Sequence, residues 1–196
     1  MIDHAYVLES LIPYRLHAVS TFNFAIRLRS SWDGPKAMKV YFDGKLAIEG
    51  NSNAFTNPAI ETGLVHCRAL LEFLGLSLST RGDPKIVNRS QKRTDDIGIE
   101  DFFNANGPLP MVTPDQALSH YGGGKDEAER ALIAVFHSAN KGLAHVTSGL
   151  IESPEQGRLL EIASRGVPAF VISHLYTPLG LLAPEYELQG RRRDDC

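Results

Sequence analysis

The chain has few cysteines, little net charge and no long apolar run. Cys67 and Cys196 are the only cysteines among 196 residues, too few for a disulfide framework. The formal net charge is −3, so the chain lacks the broad basic field of a dedicated nucleic-acid binder, which does not exclude a local basic patch. No apolar stretch reaches membrane-spanning length, and no charged and apolar leader is recognisable. These absences predict a cytoplasmic protein without a membrane partner.

The common signatures of cofactor and metal binding are also missing. The chain has no phosphate-binding loop, no Gly-rich dinucleotide fingerprint, no Cys-x-x-Cys pair and no His-x-x-x-His pair. The glycine run at residues 122–124 is not followed by Lys-Ser or Lys-Thr, and it predicts a break between helices. Without a histidine pair at helical spacing we expect no cofactor and no metal site. A helical bundle can still direct ligands inward, and the candidates are His66, His137, His145, Asp95, Asp96, Glu100 and Asp101.

The composition indicates one globular unit. Hydrophobic residues make up 43% of the chain and charged residues 22%, as in ordinary folded domains. A chain of this length is long enough to bury one sizeable core. We therefore predict a single helical domain over residues 1–190, followed by a solvated tail over residues 191–196.

Apolar residues recur at helical spacing through most of the sequence. Residues 2–29 predict a helical segment, with Pro13 in the first turn of its main helix. Further helices are predicted to begin at Asn57-Pro58, at Thr113-Pro114 and at Ser153-Pro154, because each pair joins a capping residue to a proline. The longest helix is predicted over residues 126–147, and the last helix is predicted to break at residues 165–168. Three apolar stripes are predicted to line the core. The first is Leu16, Val19, Phe22, Ala25 and Ile26, extended by Leu28; the second is Ile60, Leu64, Val65, Cys67, Leu70, Leu71 and Leu74; the third is Ala128, Leu132, Val135, Phe136, Ala139, Leu143 and Val146.

Two non-helical segments interrupt this pattern. Residues 38–48 place β-branched and aromatic side chains on both sides of Asp43-Gly44, which predicts a β-hairpin with a type I′ turn. An isolated hairpin is barely stable in water, so we expect it to lie against the helices or against a partner. Residues 77–94 are polar and basic and predict a surface loop. Residues 95–103 predict a short anchor that buries its apolar side chains in the core.

The segment around His145 is the one that most suggests chemistry. His145 ends the predicted longest helix, and Lys141 precedes it by one helical turn on the same side. If the helices pack together, His66 and His145 converge. Two imidazoles can act as base and acid in the cleavage of an RNA phosphodiester that uses the substrate's own 2′-hydroxyl. The alternative is structural, since histidines that bridge helices through hydrogen bonds are common.

Three blocks of sequence carry a resemblance to a known group. They are residues 61–74 (ETGLVHCRALLEFL), 93–103 (RTDDIGIEDFF) and 139–147 (ANKGLAHVT), and together they cover about a sixth of the chain. In this order they resemble a group of uncharacterised bacterial helical proteins, which in turn resembles HEPN domains. HEPN domains are helical bundles often found in RNA-cleaving toxins and defence systems. The resemblance implies a mainly α, HEPN-like bundle that pairs as a homodimer through the helices that bear the motif.

The chain departs from the catalytic form of that motif. Active HEPN ribonucleases carry an arginine shortly before the catalytic histidine, but residues 138–140 here are Ser-Ala-Asn. Asn140 offers a polar group and Lys141 a positive charge, without the planar fork of arginine. We therefore predict a non-catalytic HEPN-like protein that acts by self-association or with a partner. The alternative is a metal-independent ribonuclease that uses His145, supported by His66, Asn140 and Lys141. A small-molecule-binding bundle is a third hypothesis that the sequence neither favours nor excludes.

Overall fold

The computed structural model describes residues 3–142 and 153–188, and helices dominate this part of the chain. Within these ranges six short strands form three antiparallel two-stranded sheets. No helix in the described ranges is long and apolar enough to cross a membrane. The helices are α1 (Ile12–Ser30), α2 (Asn53–Phe73), α3 (Pro114–His120), α4 (Lys125–His137) and α5 (Pro154–Val171), and the strands are β1 (Ala37–Phe42), β2 (Lys45–Asn51), β3 (Leu76–Ser79), β4 (Lys85–Asn88), β5 (Phe103–Asn104) and β6 (Gly107–Pro108).

Helices α1 and α2 run antiparallel and form the centre of the molecule. Arg15 of α1 contacts His66 of α2, and towards the other end Phe24 packs edge-on against Phe55. The two helices approach closely where Gly63 faces Phe22. A Cβ atom at position 63 would overlap the Phe22 side chain, so glycine allows this approach. The predicted stripes of both helices are buried except at Leu28, which is half-buried, and at Val65, which is 48% exposed. The prediction for Val65 was wrong because it lies just outside the face that meets α1.

Helix α5 connects the two sides of the molecule. Asn23 of α1 donates a hydrogen bond to the Ser164 hydroxyl at 2.8 Å, and the Tyr176 hydroxyl after α5 donates to the Leu8 carbonyl at 2.7 Å. These contacts show that α1 and α5 run antiparallel. Helices α4 and α5 are also antiparallel, since Arg130 contacts Glu155 and Glu127 contacts Arg158. The four long helices therefore pack side by side, and their apolar faces share one core.

The start of α2 differs from the prediction. The helix begins at Asn53 rather than at Asn57, and Pro58 lies inside it. The Ser52 N–H donates to the Lys36 carbonyl at 2.7 Å, and the Asn53 N–H donates to the Asn51 side chain at 2.9 Å. These bonds anchor the chain before the helix, so helical geometry starts early. The missing N–H of Pro58 falls in the second turn.

Helix α5 runs unbroken through the predicted break at residues 165–168. Pro168 removes one backbone hydrogen bond, at a cost of about 3 kcal/mol or more in a helix interior. On the same helix Leu160, Val167 and Val171 are fully buried. Each such burial contributes about 1.5–3 kcal/mol. Packing on both sides of the proline therefore outweighs its local cost.

Residues 77–94 are not the plain surface loop that was predicted. Strand β3, which begins at Leu76 just before this segment, pairs with β4 inside it, and Leu76 lies opposite Asn88. Leu76 and Ile86 are buried, and Gly82 allows the turn with a φ of 78°. The segment is rich in polar residues. In strands of only four residues, the alternation of apolar and polar side chains is too short to predict a strand. In the segment after it, Ile99 and Phe102 are buried as predicted for an anchor, whereas Phe103 is 62% exposed.

The predicted hairpin near residues 38–48 is confirmed, with slightly wider bounds. Asp43 and Gly44 have φ angles of 49° and 75°, the positive values that a type I′ turn requires. We call residues 37–51 the β-arm. Its base is closed by two hydrogen bonds between Lys36 and Ser52. The helices do not cover the β-arm, whose side chains remain exposed or half-buried, so of the two expected covers only a partner stays a prediction.

The longest predicted helix is confirmed only in its first part. Helix α4 ends at His137, and a π-helical turn over Ser138–Gly142 continues it. Ala139 is buried, as its place in the stripe predicts. Residues 143–147 of the predicted helix and the tail at 191–196 lie outside the described residues.

Candidate functional site

The structure describes three of the four residues that the sequence grouped as a candidate site, namely His66, Asn140 and Lys141. His66 lies near the middle of α2 and is half-buried. Asn140 is exposed, and it shares the π-helical turn after α4 with Lys141. This turn packs beside α2, but within the described residues no hydrogen bond joins His66 to Asn140. His145 lies outside the described residues, so its convergence with His66 stays a prediction.

His66 has a partner that sequence reasoning did not identify. The Arg15 guanidinium lies 3.1 Å from His66 Nδ1, and Tyr14 packs edge-on against the imidazole with ring centroids 5.2 Å apart. An arginine side chain can only donate, so Nδ1 must accept. The proton of the neutral ring is therefore on Nε2. In this state His66 offers a hydrogen-bond donor, and it has no free nitrogen lone pair with which to act as a general base.

The surroundings of His66 favour its neutral form. Burial lowers the pKa of the imidazole, and the positive charge of Arg15 lowers it further. Burial also lowers the pKa of the Arg15 guanidinium, although arginine stays protonated in proteins. Within the described residues Arg15 contacts no carboxylate. Arg15 is thus a half-buried cation whose side-chain partner is uncharged.

A groove of about 600 Å³ opens beside Arg15. It lies between the first turns of α1, the second half of α2 and residues 89–97, and basic side chains are frequent along it. Arg68 is paired with Glu72 of the same helix at 2.9 Å. We call this feature the Arg15 groove. Its charged lining residues are Arg15, Arg68, Arg89, Lys92 and Arg93, with Glu72, Asp95 and Asp96.

One wall of the Arg15 groove is held by ion pairs that are partly buried. Arg89 pairs with Glu100 and also donates to the Glu72 carbonyl at the end of α2, at 3.0 Å. Lys92 pairs with Asp101. Burial raises the pKa of Asp101, but hydrogen bonds from the Gly98 N–H and from Lys92 outweigh this and keep the pKa below its usual range. These carboxylates therefore neutralise two of the basic side chains and fix the wall to α2.

The metal candidates that the structure describes do not form a ligand cluster. Among the described residues, no group of three or more His, Cys, Asp or Glu side chains lies close enough to hold one metal ion. Glu100 and Asp101 are committed to Arg89 and Lys92. Cys67 is fully buried, and burial raises the pKa of its thiol far above the ordinary value. The thiol is therefore a packing group of the core rather than a reactive one.

Sequence reasoning found His66 but missed Arg15, because the two residues are 51 positions apart. The feature of the sequence that could have indicated Arg15 is its position, because it is a charged residue on the edge of the buried apolar stripe of α1. Such a position places a cation at a helix–helix boundary, but only the packing of α1 on α2 shows what it meets. Comparisons of the chain with protein-family models, with curated proteins and with solved structures found no significant match.

Proposed function

We propose that this chain is a non-catalytic HEPN-like helical protein that pairs with a second copy of itself through the β-arm. The observation that carries this proposal is the exposure of the arm's large apolar side chains. Tyr41, Phe42, Leu46 and Ile48 are 48–66% exposed. The order of the three sequence blocks and the mainly helical architecture support the HEPN-like part of the proposal.

A β-arm of this kind is expected to be covered. A two-stranded hairpin alone is marginally stable in water, and both of its outer edges present unpaired backbone groups. Val40 and Ile48 lie opposite one another and share a face with Met38. An exposed apolar face on a protruding element is typical of an interaction surface. Burial of this face in an interface would stabilise the β-arm, because the body of the protein does not cover it.

The charges of the β-arm fit a second copy of the chain better than a charged partner. Lys39 and Glu49 lie opposite one another at 3.3 Å on the other face of the arm. Residues 37–51 also contain Asp43 and Lys45, so the two positive and two negative charges balance. A symmetric interface brings the same surface patch together with itself, which a net charge would oppose. Because the charges of the β-arm sum to zero, no net electrostatic repulsion opposes this pairing.

The test is the oligomeric state of single aspartate variants. We expect the unchanged chain to sediment as a dimer and Phe42→Asp and Ile48→Asp to sediment as monomers, because each buries a charge in the proposed interface. Phe103→Asp is the matched control, since Phe103 is similarly exposed but lies on β5. A monomeric wild type at high concentration, or dimeric arm variants, would overturn the proposal.

A metal-independent ribonuclease is the second candidate, and the Arg15 groove favours it. Basic side chains beside a neutral imidazole suit the binding of a phosphate-bearing strand. In this version His145 carries the acid–base chemistry, His66 donates a hydrogen bond through Nε2, and Asn140 and Lys141 assist. We expect RNA cleavage without divalent ions to fall by several orders of magnitude in His145→Ala. His17→Ala, at an exposed position of α1, is the control, and cleavage unaffected by loss of His145 ends this candidate.

A further inference from the structure

The two outer edges of the β-arm are not equivalent. Val40 of β1 lies opposite Ile48 of β2. The next residue along β1, Tyr41, lies opposite Leu46, so Ala47 is an extra residue that gives β2 a β-bulge. A bulge bends the strand that contains it and disturbs the spacing of its outward backbone groups. Because bulges protect an edge against pairing, the regular edge of β1 is the one suited to meet another strand. We call it the β1 edge.

The two ends of the β-arm show which backbone groups point outward at the β1 edge. At the base, the Lys36 carbonyl accepts a backbone N–H from the opposite side of the arm at 2.7 Å. At the tip, Phe42 pairs with Lys45 across the two-residue turn, which is closed by a hydrogen-bonded pair. Inward and outward groups alternate along a strand, so both ends place the outward N–H and C=O groups on Lys39 and Tyr41. Within the described residues these groups bond to no backbone outside the arm.

The side chains of β1 select one register for pairing with an identical strand. Because opposite residues of an antiparallel pair share one face, two copies must be centred on a residue that lies opposite its own copy. A centre on Lys39 places two ammonium groups opposite one another, which is destabilising. A centre on Tyr41 pairs the strand with the turn at Asp43, whose φ of 49° is not that of a strand. A centre on Val40 avoids both conflicts, and centres outside residues 39–41 pair the strand with loops.

One face of the joined strands is apolar when Val40 is the centre. Val40 then lies beside Val40 of the second copy, and Ile48 of each arm extends the row on either side. In the neighbouring position Met38 of one copy lies opposite Phe42 of the other. Phe42 is 66% exposed and Ile48 is 48% exposed in the single chain. Contacts between these side chains across the strands therefore stabilise this register.

The other face and the backbone fit the same register. Tyr41 of each copy lies opposite Lys39 of the other, so the outward N–H and C=O groups of the two residues bond to one another. The aliphatic stem of a lysine can cover an apolar surface while its ammonium group stays in water. Lys39 can therefore lie along the Tyr41 ring and keep its ion pair with Glu49, at 3.3 Å.

We propose that two copies of the chain join their β1 edges, centred on Val40, to form one continuous four-stranded antiparallel sheet. The inference rests on the proposed self-association through the β-arm and adds the edge and the register that it uses. The strands β2 with their bulges lie outermost, where they end the sheet. The tip of each arm lies beside the base of the other, so Asp43 comes close to Lys36 of the second copy, a residue of opposite charge.

Disulfide cross-linking tests the register in the full chain with Cys196→Ser, in which the other cysteine, Cys67, is buried. Opposite residues of a pair without hydrogen bonds have Cα atoms about 4.5 Å apart, within reach of a disulfide. We therefore expect Val40→Cys to form a covalent dimer under mild oxidation. Ile48→Cys is the matched control on the same face. Three strand spacings separate it from its copy, about 14 Å, so it should remain largely uncross-linked.

Proline variants test the edge independently. Lys39 and Glu49 lie opposite one another, and each directs its N–H outward, on opposite edges of the arm. Proline at either position leaves the hydrogen bonds within the arm in place and removes the same ion pair. Lys39→Pro should raise the dimer dissociation constant about thirtyfold or more, because each copy loses a hydrogen bond across the interface. Glu49→Pro should leave the dimer intact.

Sedimentation of the unchanged chain separates this inference from the proposed function. A monomeric unchanged chain would overturn both. If the unchanged chain is a dimer, cross-linking of Ile48→Cys as readily as Val40→Cys would overturn the register and leave the β-arm as the interface. Dissociation by Glu49→Pro rather than Lys39→Pro, or by neither, would overturn the assignment to the β1 edge in the same way.

Discussion

The contact between Arg15 and His66 places two basic side chains against each other with no acid between them. The arrangement is stable only while the imidazole stays neutral, because a second positive charge would meet the guanidinium at 3.1 Å. Burial and this neighbouring charge both lower the pKa of His66. The unfolded chain lacks both effects. At a pH at which the imidazole of the unfolded chain is protonated, folding therefore favours release of that proton from His66.

The pKa of His66, followed by NMR of the imidazole, should lie below the ordinary value of 6.5. As the pH falls below about 6.5 the unfolded chain takes up protons that the folded chain resists, so the free energy of unfolding should decrease. Arg15→Gln removes the charge and should raise the pKa of His66 towards, but not fully to, the ordinary value, since burial remains. A pKa at or above 6.5 in the unchanged protein would contradict this assignment.

Individual helices tolerate residues that commonly end or weaken a helix. Pro13 follows a π-helical turn at Val7–Leu11, in which the Ile12 N–H bonds to the Val7 carbonyl five residues earlier. This wider turn accommodates a proline that cannot supply its own N–H. Two glycines inside these helices have different surroundings. Gly63 of α2 allows α1 to approach, whereas no atom lies within 4 Å of the position that a Cβ at Gly166 of α5 would occupy.

Alanine substitutions at these two glycines should have opposite effects on stability. Gly63→Ala forces a methyl group into Phe22 and should lower the free energy of unfolding by about 1–3 kcal/mol, as overpacked cores do. Gly166→Ala meets no neighbour and should raise it by about 0.5–1 kcal/mol, because alanine favours the helix. Urea unfolding followed by circular dichroism measures both. Equal effects would show that α1 and α2 do not approach as described.

The whole molecule divides into a packed helical body and a β-arm that contributes little to its core. None of the side chains of residues 37–51 is buried, whereas Ser52 at its base is 6% exposed. Lys36 and Ser52 are joined by two hydrogen bonds, so the two ends of the β-arm stay together without it. The β-arm is therefore separable from the body, as an element for association would be.

Replacement of residues 37–51 by a short Gly-Ser turn should leave the body folded. We expect the helical circular dichroism signal to persist and the free energy of unfolding of the monomer to change by less than about 1 kcal/mol, since no core contact is removed. Sedimentation should show that the shortened chain has lost the dimer. A shortened chain that unfolds would mean that the β-arm is part of the core.

Local chemistry in the sequence was sufficient for the hairpin turn and for two helix starts. Asp43-Gly44 needs no distant partner to adopt positive φ. Thr113 and Ser153 cap the helices that follow them because their hydroxyl oxygens accept the backbone N–H of the residue three positions later. The apolar stripes predicted the core because burial follows helical periodicity. Among the site residues, His66 was recognisable on the edge of such a stripe.

The remaining features depend on tertiary packing. Helix α5 continues through Pro168 because buried residues on both sides stabilise it. The pairing of β3 with β4 depends on a core against which Leu76 and Ile86 pack. Arg15 meets His66 only where helices distant in sequence come together. The sequence determined elements whose energetics are local, and the tertiary structure decided every contact whose energy comes from residues far apart along the chain.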